Sequence, residues 1–80
     1  MKITLVSFGI AKDIIGSREM EYELPDSASV GNLLEKLAHD YPDFKDLTSI
    51  RVAVNTEYAK NDQVISPQDE VVLIPPVSGG

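Results

Sequence analysis

The chain has 80 residues, of which 7 are Lys or Arg, 13 are Asp or Glu and none is Cys, and its formal net charge is −6. This length leaves room for one small domain, and the lack of Cys excludes a disulfide scaffold, a thiolate metal site and a cysteine nucleophile. The negative charge argues against nucleic acid as a partner, because phosphate backbones are bound mainly by Lys and Arg, and it favours a basic protein partner.

The amino-terminal residues contain no apolar stretch long enough for a signal peptide or a membrane span. We therefore expect a soluble, cytoplasmic protein with no membrane partner.

Residues 1–8 have the composition of a buried strand, with Ile3 and Leu5 on one face. A short helix is expected within residues 9–16, where Ile10, Ile14 and Ile15 recur at helical spacing and a glycine marks the end. Residues 19–24 alternate between charged and apolar, which predicts a strand whose glutamates face water.

Residues 30–41 predict the main helix. Ser29 is a suitable N-cap, and apolar residues follow it at helical spacing to form one stripe. Pro42 ends the helix, because proline disfavours helical geometry in the residue before it. A polar connector then follows, and its expected anchors in the core are Phe44, Leu47 and Ile50.

The second half of the chain predicts strands separated by turns. Residues 51–55 predict a third strand and residues 55–57 a turn, whereas residues 58–65 are weakly patterned and suggest a short irregular edge strand. Pro67 stands at the second position of a predicted type I turn over residues 66–69. A run of β-branched and aliphatic residues then predicts a final strand over residues 70–74.

This order of elements predicts an α+β fold in which the main helix covers one face of a mixed sheet. It resembles the β-grasp fold of ubiquitin-like proteins, in which the first and last strands lie side by side in the middle of the sheet. We expect residues 1–74 to form this domain and residues 75–80 to form an extended carboxy-terminal tail.

The tail reads Pro75-Pro76-Val77-Ser78-Gly79-Gly80. Its two prolines favour polyproline II geometry, so the tail is expected to leave the sheet stiffly in one direction. Six extended residues span about 20 Å, and two glycines fit a narrow channel and leave the terminal carbonyl unshielded. A terminal carboxylate is ionised at neutral pH and is a poor acyl donor until a partner activates it, for example by joining it to AMP.

The Asp69-Glu70 pair, the apolar strand after it and this tail resemble the small subunits of molybdopterin synthase, the MoaD-type sulfur carriers, and the similarity extends over the whole chain in length and element order. One departure is Gln68, which stands where that family often has glycine, so the turn type is open. The resemblance implies that an E1-like adenylyltransferase, which uses ATP, adenylates the carboxylate of Gly80, and that this group then becomes a thiocarboxylate.

The resemblance also implies what happens next. The inserting part of the tail would enter the large synthase subunit, and sulfur would pass to cyclic pyranopterin monophosphate in molybdenum cofactor biosynthesis. The carrier would be a non-catalytic subunit of a transferase, active only with the large subunit, and would hold no permanently bound cofactor. The inserting residues are Pro75, Pro76, Val77, Ser78 and Gly79.

An apolar cluster is expected on the face of the sheet away from the main helix, provided that Ile3, Leu5, Val71 and Leu73 face the core. Exposed apolar clusters on small domains usually mark partner surfaces. We therefore predict that this cluster docks the large synthase subunit, unless loops cover it or a shifted register buries it. This outer patch consists of Val6, Phe8, Val72 and Ile74.

Three alternatives share the fold or the terminal glycines. A sulfur carrier of thiamine thiazole synthesis resembles the chain less, because that family lacks the two prolines before the tail. A ubiquitin-like modifier would be expected to have a basic tail, and a β-grasp binding module would have an incidental one. No metal site is expected, because His39 has no convergent partners and the Asp residues between 40 and 46 lack the spacing of a calcium loop.

Overall fold

The structure, a computed structural model, describes residues 1–46 and 50–75. The predicted anchor Leu47 and the tail residues 76–80 lie outside the described residues. None of the helices in the two described ranges has the length and apolar character needed to cross a membrane. The elements are β1 (Lys2–Ser7), α1 (Gly9–Ile15), β2 (Glu19–Glu23), α2 (Val30–Asp40), a 3-10 helix (Pro42–Asp46), β3 (Arg51–Val54), β4 (Glu57–Tyr58) and β5 (Glu70–Ile74).

The strands of the described chain form one mixed sheet in the order β2-β1-β5-β3-β4. In its middle, β1 and β5 are parallel neighbours, with Val6 beside Val72. The other pairs, β1 with β2, β5 with β3 and β3 with β4, are antiparallel. The predicted α+β architecture, with the first and last strands side by side in the centre, is therefore confirmed.

Helix α2 begins where the sequence predicts. The hydroxyl of Ser29 accepts a 3.1 Å hydrogen bond from the backbone N–H of Asn32, and the Asn32 side chain accepts a 3.0 Å bond from the backbone N–H of Ser29. This reciprocal pair satisfies two amide groups at the start of the helix. The stripe formed by Val30, Leu33 and Leu37 is fully buried. Burying each such side chain stabilises the fold by about 1.5–3 kcal/mol, which holds α2 on one face of the sheet.

The core lies between α2 and the inner face of the sheet, and the expected strand register is confirmed. The largest fully buried apolar side chains come from β1, β5, α2 and the loops beside them: Ile3, Leu5, Leu24, Val30, Leu33, Leu37, Ile65, Val71 and Leu73. Of the predicted connector anchors, Phe44 is buried and Ile50 packs partly buried against the core.

Helix α1 has the predicted bounds, but a different side chain anchors it. Gly16 caps its end at a φ of 86°. The buried residue is Ala11, whereas Ile14 and Ile15 are half-buried against the core and Ile10 is exposed. A helix of seven residues presents only a narrow arc to the sheet. The three isoleucines span more than that arc, so apolar spacing alone does not identify the contact side.

The edge strand is shorter than predicted and begins one residue earlier. β4 contains only Glu57–Tyr58. After it, a turn in which the N–H of Gln63 donates to the carbonyl of Lys60 leads the chain away from β3. Val64 then makes an isolated antiparallel bridge with Ser29, at the start of α2. The expected strand over residues 58–65 is thus wrong in extent, because the chain leaves the sheet to cover the helix.

The turn before β5 is not of the predicted type. Gln68, at its third position, has a φ of 69°. A type I turn has a negative φ at that position and a type II turn a positive one, so the predicted type I turn is wrong. The carboxylate of Asp69 accepts a 2.8 Å hydrogen bond from the N–H of Ser66, which closes the turn despite a residue other than glycine in the left-handed region.

Candidate functional site

Pro75, the first residue of the predicted tail, follows the central strand directly. β5 is paired on both sides, with Leu73 beside Ser7 of β1 and Val52 of β3, and Ile74 opposite Arg51. Pro75 itself is half-buried. The chain therefore leaves the domain from the middle of the sheet, where hydrogen bonds on both sides hold the strand. Of the predicted tail residues, the structure places Pro75, while Pro76, Val77, Ser78, Gly79 and Gly80 lie outside the described residues.

The junction between β1 and α1 passes close to Pro75. Gly9 has a φ of 56°, in the left-handed region that favours glycine. A Cβ atom built on Gly9 would lie 3.1 Å from Cγ of Pro75, which is tighter than ordinary van der Waals contact. The backbone of this junction and the ring at the base of the tail thus approach each other closely only because residue 9 has no side chain.

Three residues of the outer patch share the face of the sheet away from α2. Val6 is beside Val72 in the parallel pair, Val72 is opposite Ala53, and Ile74 lies two residues further along the same strand. Val72 and Ile74 are half-buried, but Val6 is only 8% exposed although it lies outside the main core cluster. The expected face is therefore the observed one, and Val6 itself offers little surface to a partner.

Phe8, the fourth residue of the outer patch, comes directly after β1 and is 40% exposed. The guanidinium carbon of Arg18 lies 5.3 Å from the centroid of its ring. This distance allows a cation–π contact, which holds the ring in place while part of it remains open to solvent.

Sequence reasoning missed two residues that adjoin the outer patch. Tyr58 of β4 is 69% exposed and stands opposite Ala53, so it extends the apolar surface to the edge of the sheet. The guanidinium carbon of Arg51 lies 5.7 Å from the centroid of the Tyr58 ring. The sequence signal that could have found this pair is Asn55 at the start of a two-residue hairpin turn, a position that favours asparagine. In the structure Asn55 and Thr56 have positive φ values of 50° and 75°, and this turn fixes the pairing of β3 with β4.

An acidic row borders the outer patch on its other side. Glu19 is paired with Val6 and Glu21 with Thr4, and Glu23 continues the same face of β2. All three glutamates are exposed. A partner that covers this face would meet apolar side chains in the middle and carboxylates along β2, which favours a partner with basic groups at that edge.

The described ranges contain no group of three His, Asp or Glu residues placed to hold a metal ion.

Comparison with known proteins gives the family. The model of the ThiS family matches residues 6–80. The molybdopterin synthase sulfur carrier subunit of Dictyostelium discoideum is 39% identical over 80 residues, which cover 95% of this chain and 93% of that protein.

Solved structures give the fold. A putative molybdopterin converting factor subunit 1 from Pyrococcus furiosus superposes with a TM-score of 0.87 at 28% identity, over 96% of this chain and 99% of that chain. The small archaeal modifier protein 1 of H. volcanii has a TM-score of 0.81 at 25% identity, over 95% of this chain and 98% of that chain. The predicted ubiquitin-like β-grasp fold and the resemblance to molybdopterin synthase small subunits are both confirmed.

Proposed function

The chain belongs to the ThiS family, and we propose that it is the sulfur carrier subunit of a molybdopterin synthase. The observation that carries this proposal is its 39% identity, over nearly the full length of both chains, to a protein named for that role. The terminal Gly79-Gly80 pair supports it, because the chemistry of such a carrier needs an unhindered terminal carboxyl group.

The proposed chemistry takes place on the main chain. A carboxylate oxygen of Gly80 attacks the α-phosphorus of ATP on an E1-like adenylyltransferase and releases pyrophosphate, which gives an acyl adenylate. Hydrosulfide supplied by the donor then attacks the acyl carbon, the bond to AMP breaks, AMP leaves, and the acyl group becomes a thiocarboxylate. This route explains how a chain without Cys can carry sulfur. The carrier supplies the acyl group, whereas the E1-like adenylyltransferase supplies the catalytic groups for this activation and consumes the ATP.

The outer patch is the proposed docking surface for the large synthase subunit. Val72 and Ile74 lie on the strand that leads into Pro75, so a partner held there also receives the tail. The net charge of −6 and the acidic row on β2 favour a basic partner surface. The proposed substrate, cyclic pyranopterin monophosphate, is itself an anion. Cationic groups on the large subunit would therefore attract both the carrier and the substrate.

Reconstitution tests the proposal. The chain is incubated with an E1-like enzyme, ATP, a sulfur donor, the large subunit and cyclic pyranopterin monophosphate, and molybdopterin is measured. The matched control is the same chain extended by several residues beyond Gly80, which removes the free carboxylate without touching the domain. We expect product from the native chain and none from the extended chain. No product from the native chain, while a carrier of known activity works in parallel, would contradict the proposal.

A second candidate is a protein modifier, which is favoured by the similarity to the small archaeal modifier protein 1 of H. volcanii. In that case the amine of a lysine on a target protein would displace AMP from the same acyl adenylate, and an amide bond to Gly80 would form. Peptide mass spectrometry separates the two functions. Amide-linked Gly79-Gly80 on target lysines, without molybdopterin in the reconstitution, would favour the modifier.

A further inference from the structure

The base of the tail rests on a position where only glycine fits without displacement. Gly9 lies at the start of α1 with a φ of 56°, and an added Cβ would come within 3.1 Å of Cγ of Pro75. At that distance, the ring must yield by a few tenths of an ångström if residue 9 carries a side chain. We propose that Gly9 is a positioning residue for the tail, because its lack of a Cβ lets Pro75 seat against the β1–α1 junction and so sets the direction in which the chain leaves β5.

Several restraints act on the backbone at Pro75. The pyrrolidine ring fixes the φ of Pro75, and Ile74, as the residue before a proline, is confined to extended geometry. Ile74 is also held opposite Arg51 in the sheet. The close approach of the ring to Gly9 adds a restraint from outside the sheet, and it comes from a segment 66 positions earlier in the chain.

A small change in the direction of Pro75 would be amplified along an extended tail. Five residues follow Pro75 and would span about 16 Å if extended, so a rotation of roughly 6° at Pro75 would displace their end by about 1.7 Å. A misplacement of about 1 Å at a reacting group can cost about a hundredfold in rate. The consequence for the reaction rests on the proposed function, whereas the contact itself does not.

The chain offers a matched control at the other end of α1. Gly16 has a φ of 86°, so alanine there also meets the disfavoured left-handed backbone. An added Cβ at Gly16 has no atom within 4 Å. Gly9→Ala and Gly16→Ala therefore share the backbone effect, and only Gly9→Ala presses on Pro75.

The first measurement does not depend on function. Residual dipolar couplings of the Val77 and Ser78 amide groups, recorded by NMR on the free full-length chain, report the direction of the tail. We expect Gly9→Ala to change these couplings and Gly16→Ala to leave them at wild-type values, with similar urea unfolding midpoints for both variants. In a Pro75→Ala background, which lacks the ring, Gly9→Ala should cause no further change. Couplings that Gly9→Ala leaves unchanged, or that are averaged to zero in the wild type, would overturn the proposal.

The second measurement is the kcat/KM of an E1-like enzyme for adenylation of each variant. We expect Gly9→Ala to lower it at least fivefold relative to Gly16→Ala, a threshold set below the roughly hundredfold cost of a misplacement of about 1 Å, and to have no added effect in the Pro75→Ala background. Altered couplings with equal kcat/KM for the two glycine variants would overturn the role in the reaction. If no E1-like enzyme activates the wild-type chain, the proposed function fails, and the couplings alone decide whether Gly9 positions the tail.

Discussion

The hydroxyl group of Tyr22 donates a 2.5 Å hydrogen bond to Oδ2 of Asp40. The ammonium group of Lys36 donates to the same oxygen at 3.1 Å and lies 4.5 Å from the centroid of the Tyr22 ring. The hydrogen bonds from Tyr22 and Lys36 hold the pKa of Asp40 below its usual value. Burial, and then the bond to Asp40, raise the pKa of Tyr22. These three side chains join edge strand β2 to the last turn of α2.

We expect Tyr22→Phe to lower the urea unfolding midpoint at pH 7, because Asp40 loses a donor that stabilises its charged form. A depressed folded-state pKa stabilises the fold above the unfolded value of 3.8, and this stabilisation is lost as the pH falls through the lower folded value. The difference between wild type and Tyr22→Phe should therefore shrink as the pH falls below about 4. Tyr58→Phe, which removes an exposed hydroxyl, should follow the wild type at every pH. A difference that stays constant into the acid range would contradict this assignment.

The raised pKa of Tyr22 gives a prediction at alkaline pH. The stabilisation from neutral Tyr22 is present below the unfolded value of 10.0 and is lost as the pH rises above it. An ultraviolet titration of the folded wild type should contain one tyrosine that ionises well above pH 10, and this component should be missing from Tyr22→Phe. If Tyr22→Phe instead loses a component that titrates at pH 10 or below, the tyrosine with the raised pKa is not Tyr22.

Asn55 ties the β3–β4 turn to the start of β5. Its side chain donates a 3.0 Å hydrogen bond to the carboxylate of Asp69 and accepts one of 3.0 Å from the N–H of Glu70, and its φ is 50°. Asn55→Gly keeps the backbone geometry and loses both bonds, and we expect it to lower the free energy of unfolding by about 1 kcal/mol. Asn55→Ala should cost about 1 kcal/mol more, because alanine also resists a positive φ. Denaturant unfolding measures both, and equal costs for the two variants would contradict the role given to the backbone.

The outer patch gives a prediction about binding. Phe8→Asp should weaken binding to the large synthase subunit at least tenfold, the effect of losing about 1.4 kcal/mol, because it places a charge where an apolar ring would be covered. Val64→Asp is the matched control. Val64 is also an exposed apolar residue, with 57% of its surface accessible against 40% for Phe8. It pairs with Ser29 beside α2, away from the outer patch. Isothermal titration calorimetry measures both affinities, and circular dichroism checks the fold. Equal affinities for Phe8→Asp and the wild type would contradict docking through this surface.

The elements that sequence predicted well are those in which one local pattern decides the structure. The cap at Ser29 and the stripe from Val30 to Leu37 predict α2, because helical spacing has a single solution over three turns. The apolar run in β5 predicts a strand buried between two neighbours. The register of β1 and β5 follows from the same reasoning, because a shift by one residue would expose Leu5 and Leu73.

The features that sequence could not predict depend on contacts between distant segments. The bond from Tyr22 to Asp40 joins residues 18 positions apart, and no local pattern encodes it. The positive φ of Gln68 accompanies a 3.0 Å hydrogen bond from its N–H to the carbonyl of Lys2 at the start of β1, whereas the propensity of glutamine favours a negative φ. The approach of Gly9 to Pro75 likewise appears only once β1 and β5 lie side by side.

The proposed function places the sulfur on the carboxyl group of Gly80. Its most direct test is the intact mass of the full-length chain after incubation with ATP, a sulfur donor and an E1-like enzyme, followed by fragmentation to locate the change. We expect a gain equal to the exchange of one oxygen for one sulfur, confined to Gly80 and absent without ATP. An unchanged mass, while a carrier of known activity is converted by its own enzyme in parallel, or a gain located at any other residue, would contradict it.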